Sequence, residues 1–171
     1  LENHEEVPPL VERALAIRGE IGDRRGEGFA LVILAGAMIG MRRWREAEEA
    51  VERGLTIARE IDETPLLYDL YAHSALVHLG RGDTRTAVEA IAPILDAMGK
   101  DYRLGGDPLD LYLSCCRVLR AAGDPRFDAA LEAAHRRVQE MAANIPDEEV
   151  RRGYMRNLPW TREIVEMWEA R

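Results

Sequence analysis

Apolar residues recur along this chain every three or four positions, the period of a helix with one packed face. In the first such stretch Leu10, Ala14, Ile17 and Ile21 share a face. A second, from about Arg25 to Gly40, sets Leu31, Leu34, Ala35 and Met38 inward. A third, from Trp44 to Ile61, does the same with Ala47, Val51, Gly54, Leu55 and Ala58. Thr64-Pro65 reads as a cap and first-turn proline opening a fourth helix that runs to about Leu79. Gly80 to Asp83 is the next turn, and a fifth helix runs from about Thr84 to Met98. Pro93 lies inside it, where a missing N–H is expected to kink it or cost a hydrogen bond.

Gly99 to Asp107 reads as the longest loop. Asp107-Pro108 opens a sixth helix ending near Ala122, and a seventh covers about Pro125 to Asn144. A short eighth spans Asp147 to about Arg156. A ninth follows Pro159 to the end, with Ile164, Val165 and Trp168 on its apolar face. Residues 1–7 are acidic and expected to fray, while Pro8-Pro9 suits a first helical turn. No stretch alternates as a strand does. The pattern predicts an all-α chain of about nine helices in antiparallel pairs.

One stretch occurs twice. VERALAIRGEIGD, Val11 to Asp23, returns forty residues later as VERGLTIAREIDE, Val51 to Glu63, with seven of thirteen positions identical. Self-similarity at such a period marks stacked repeats, each covering its neighbour's apolar face. The repeats fall at roughly 8–63, 64–107 and 108–144, with a C-terminal cap over 145–171.

Composition narrows the function. The 171 residues suit one compact domain or a short solenoid, and 47% hydrophobic content is ample for a core. A net charge of −8 disfavours a general nucleic-acid binder. Of the 23 basic residues 22 are Arg, the exception being Lys100. Cys115 and Cys116 are adjacent and cannot staple distant segments, so they read as packing thiols in a reducing compartment. No signal peptide or apolar run of membrane-spanning length is present, which points to the cytoplasm. The start at Leu1 hints at a piece of a longer polypeptide.

Candidate chemistry is sparse. There is no phosphate-binding GxxxxGK[ST] loop, no HExxH and no cysteine pair with zinc spacing. Gly22, Gly26 and Gly28 follow no strand and read as a helix–helix turn. His4, His73, His78 and His135 are scattered, and His78 reads as a core or groove-edge residue. Glu46, Glu48, Glu49 and Glu52 form a solvated helix face with partners such as Glu49–Arg53. No catalytic residue, cofactor site or metal site is expected.

The helix pairs resemble tetratricopeptide repeats. That resemblance rests on small residues at the crossing points: Ala35 with Ala47 among Leu31, Leu34, Trp44 and Val51, then Ala75 with Ala87 flanked by Tyr71, Leu79 and Ile91. A third unit sets Tyr112, Cys115, Cys116 and Leu119 on its first helix and Ala129 or Ala130 on its second. The period of forty exceeds the usual 34 and is similar to the long-helix variant found in bacterial signalling proteins and kinesin light chain. The C-terminal run Ile145-Pro-Asp147, Arg152-Gly-Tyr-Met155, Asn157-Leu-Pro159 and Arg162-Glu-Ile164 resembles the ending of repeat regions in large bacterial signal-transduction ATPases, linked to cyclase, kinase or transcription-activator domains.

In the resembling family the first helix of each pair lines a concave binding face. Carried over, this implies Phe29, Val32 and Ile39, then Asp69, Ala72 and Leu76, then Asp110, Leu113, Arg117 and Arg120. The expected role is non-catalytic capture of a peptide, a partner domain or an upstream effector domain of the same chain. The alternative is a self-associating scaffold, a homodimer whose groove is occluded by the C-terminal helices or by a second copy. Neither reading involves nucleic acid or a membrane.

Overall fold

The computed structural model describes residues 6–99 and 109–171. Among them the architecture is all-α: α1 (Val7–Ile21), α2 (Arg24–Gly40), α3 (Trp44–Glu60), α4 (Thr64–Gly80), α5 (Thr84–Gly99), α6 (Leu109–Ala122), α7 (Phe127–Ala143), α8 (Glu148–Asn157) and α9 (Pro159–Glu169). These are the antiparallel helix pairs that the apolar period predicts. The chain divides into two compact units, residues 1–94 and 95–171. The division falls inside α5, just after Pro93. The helix continues through that proline rather than ending at it.

In the first unit α2 packs on α1, α3 and α4, and α3 packs on α4. From α1 to α4 each helix meets its sequence neighbour, the packing of a repeat stack. Leu31, Ala35, Ala47 and Val51 are buried at the α2–α3 crossing, and Val11 and Val77 join the same cluster. The expected small residues Ala35, Ala47, Ala75 and Ala87 are all fully buried. Gly54 serves the next crossing: a Cβ there would come within 2.6 Å of Leu70 Cδ2, so any larger residue would require the buried Leu70 side chain to shift.

The turns share one geometry. A residue with positive φ stands at Gly22, Arg42, Asp62, Gly82 and again at Gly123. The first four are spaced by twenty residues. After each, the next amide donates back to a carbonyl five residues earlier: Asp23 to Arg18, Arg43 to Met38, Glu63 to Ala58, Asp83 to His78 and Asp124 to Leu119, all at 2.9–3.0 Å. This is the Schellman closure of a helix C-terminus. The donating residue is in several cases also the cap of the next helix. Asp23 Oδ1 accepts from Gly26 N at 2.9 Å and Asp83 Oδ1 from Thr86 N at 3.1 Å. The forty-residue repeat is therefore two twenty-residue helix-and-turn modules.

In the second unit α6 and α7 form a pair, and α9 lies against both, with α8 bridging α7 and α9. Leu109, Val118, Leu119, Leu131, Val138 and Ile164 are fully buried there. Of the two candidate small residues on α7, Ala130 is buried and Ala129 is exposed. Trp168 stacks on His135 with 4.3 Å between centroids, and the Arg171 guanidinium lies 4.5 Å from its ring.

Several local expectations change. The face of α1 that carries Leu10, Ile17 and Ile21 is exposed, whereas Val11, with Val7 and Leu15 beside it, turns to the core. Thr64 is the first residue of α4 rather than its cap, and Glu63 precedes it without a side-chain cap bond. Glu49 pairs with Arg45, one turn before it, at 3.8 Å. Gly26 and Gly28 lie in the first turns of α2. The loop expected at 99–107 lies, beyond Gly99, outside the described residues, as do residues 1–5.

Candidate functional site

The residues proposed from the repeat resemblance divide between the two units. In the first, Phe29 is 37% exposed on α2, with the Arg25 guanidinium 5.5 Å from its ring centroid. Arg25 is itself held by Glu63, with Nε 3.2 Å from the carboxylate. Val32 is half-buried against the cluster of Ala58, Leu66 and Leu70. Ile39 is half-buried too, packed with Met41 and Trp44 against the main core. On α4, Asp69 and Leu76 are half-buried and Ala72 is buried.

One residue absent from that set belongs with Phe29. Ile33, one turn further along α2, is 57% exposed. The stripe continues through Gly36 and Gly40 at helical spacing. A Cβ at Gly36 would lie 3.3 Å from His73 Nε2, so the imidazole of α4 reaches across the bare backbone of α2. The signal was present in the sequence as Phe29-x3-Ile33-x2-Gly36. It was hidden because Ile33 neighbours three residues that are buried.

His73 has a shielded Nδ1 with no hydrogen-bond partner. Burial disfavours its charged form and lowers its pKa to about 4, while the Asp69 main-chain carbonyl opposes this in part. The imidazole is therefore neutral at physiological pH, with its Nε2 against the backbone of α2 at Gly36. His78 is half-buried, with Nδ1 3.9 Å from an Asp83 carboxylate oxygen.

In the second unit the picture differs. Leu113 is only 4% exposed and belongs to the core. Arg117 is engaged by α9: its Nε donates to Glu163 Oε1 at 2.8 Å and an Nη donates to the other oxygen. That two-pronged contact holds the Glu163 carboxyl below its ordinary range. Arg120 is exposed at the mouth of an open cleft that it forms with Pro159, Arg162, Glu163, Glu166, Met167 and Ala170. Asp110 is exposed near the start of α6, where its carbonyl accepts from Ser114 Oγ at 2.8 Å. Thus α9 covers part of the α6 face that the resemblance would leave open.

The thiols are packing groups. Cys115 and Cys116 are both buried and unbridged. Burial raises both, Cys116 to about 12, so neither is a thiolate at neutral pH. Among the described residues no cluster of three or more His, Cys, Asp or Glu is placed to hold a metal ion, and no helix is long and apolar enough to cross a membrane. Compared with protein-family models, curated proteins and solved structures, the chain matches none.

Proposed function

We propose that this chain is a non-catalytic interaction module, the repeat region of a larger cytoplasmic bacterial regulator, and that it captures a peptide or partner domain along α2. The exposed pair Phe29 and Ile33 carries the reading. Two large apolar side chains one turn apart, flanked by a charged Arg25–Glu63 end, match the anchor-and-rim composition of binding surfaces. The ligand is an extended or helical segment with two apolar side chains at matching spacing. Its effector domain lies elsewhere in the regulator.

The test is a paired capture. The 171-residue chain and a Phe29→Asp/Ile33→Asp variant, both verified as folded by circular dichroism, are exposed to lysate of the host, and bound proteins are quantified. A partner retained by the wild type and reduced at least tenfold by the variant supports the surface. Equal capture by both would remove α2 from the reading.

A second reading draws on the second unit. There α9 lies on α6, Glu163 occupies Arg117 and Leu113 is buried. These contacts favour occlusion from within for that unit, which leaves Arg120 and the cleft beside it as its accessible part.

A further inference from the structure

We propose that the outer face of α1 is the docking face for a second copy of this chain, joined as an antiparallel α1–α1 pair about a two-fold axis. The first observation is exposure. Leu10, Ile17 and Ile21 are 68%, 50% and 71% exposed, three large aliphatic side chains on one helix. Scattered surface leucines need no explanation, but a continuous stripe of them marks an interaction face.

The second observation is the internal repeat. Forty residues on, Ala50, Gly54 and Ile57 of α3, with Ile61 at its C-cap, stand at the positions of Leu10, Ala14, Ile17 and Ile21. Ala50, Gly54 and Ile57 are buried and Ile61 is half-buried. Helix α3 has α2 on one side and α4 on the other, whereas the principal neighbour of α1 is α2 alone. The same sequence element is thus covered twice in one place and once in the other. The uncovered face has a form that a helix covers.

The third observation selects the occupant. Leu10, Ala14, Ile17 and Ile21 follow the 4-3-4 spacing of a coiled-coil seam, the d-a-d-a positions of a heptad. One flank of the seam is already taken, since Val11 is buried and Arg18 Nη1 lies 2.6 Å from Asp23. The other flank carries Arg13 and Glu20, both exposed. With a two-fold axis between Ala14 and Ile17, Ala14 faces Ile17 of the other copy and Leu10 faces its Ile21. The same operation sets Arg13 beside the other copy's Glu20, and does so twice. In a parallel pair these two positions would lie on opposite sides of the seam, and Arg13 would instead meet the other copy's Arg18. The stripe is therefore complementary to itself in the antiparallel sense, as a two-fold interface requires.

The seam is short, so the dimer should be of micromolar affinity, below the area of a standard stable interface. Sedimentation equilibrium on the full 171-residue chain tests it. Loaded at about 100 µM, where a micromolar association is nearly complete, the chain is expected at twice its 19.3 kDa mass. Leu10→Glu/Ile17→Glu, two exposed positions, should return it to a monomer with unchanged helicity. Arg13→Glu should weaken association roughly tenfold through two like-charge contacts. The double change Arg13→Glu/Glu20→Arg should restore it. A wild-type monomer at that loading would overturn the second-copy assignment and leave the face to a different helix. A dimer insensitive to Leu10→Glu/Ile17→Glu would place the interface elsewhere, and a charge swap without rescue would overturn the antiparallel geometry. The face is separate from the stripe on α2, so partner capture and dimer formation fail independently.

Discussion

His73 is the side chain whose chemistry departs furthest from its surroundings. Its Nδ1 is shielded and unpaired, and burial lowers the pKa of the ring to about 4 against an ordinary 6.5. The unfolded chain takes up a proton that the folded chain refuses. The stabilising difference is thus complete above about pH 6.5 and is lost as pH falls through that value towards 4. Between these limits the slope is at most about 1.4 kcal/mol per pH unit. Urea unfolding at pH 7 and pH 4.5 should show the wild type losing more stability than His73→Leu. Equal losses would mean that the ring ionises freely in the fold. The sequence places His73 on the fourth helix but says nothing of Gly36 beside it, because that contact joins residues 37 apart.

Among the helices, α9 departs most from the repeat scheme. The sequence shows its start at Pro159 and its apolar residues, and marks 145–171 as a cap. It does not show that the cap lies along α6, since an i,i+4 pattern names a buried face and not the helix that covers it. The consequence is concrete at Arg117, read from the repeat scheme as part of an open clamp and found bonded to Glu163. Arg117→Ala should cost about 1 kcal/mol, discounted because the Arg117 side chain is 41% exposed. The folded Glu163 carboxyl titrates below its usual 4.5. The pair therefore contributes above that pH and fades as pH drops through the depressed value. Denaturant midpoints of wild type and variant should differ at pH 7 and converge as the pH falls through the depressed Glu163 value. A gap that persists at low pH would assign the loss to packing of the Arg stem instead.

Across the described residues, the helix count, their order and the small residues at the crossings were legible, because period and residue size act locally. Thus Ala35, Ala47, Ala75 and Ala87 all lie where the pattern sets them. The outward turn of Leu10, Ile17 and Ile21 was not legible. The same spacing serves a core and an interface, and only the presence of a neighbour separates them. The left-handed turn positions were half legible. Gly22, Gly82 and Gly123 announce themselves, but Arg42 and Asp62 hold the same conformation without a glycine's freedom. The turns make one prediction in both units. Gly22→Ala, Gly82→Ala and Gly123→Ala should each cost about 1–2 kcal/mol, because a Cβ disfavours positive φ and nothing else crowds these sites. Thermal unfolding of the three variants would check it, and a neutral Gly82→Ala would mean that the turn relaxes away from positive φ.

The spacing of those turns also constrains how such a chain can change length. Each turn reverses direction, so removing one twenty-residue module would send every later helix the opposite way and exchange the surfaces it offers. Removing two restores both heading and surface. A stack of this design gains or loses material in steps of forty, and a recombination event at any other interval has no register to land on.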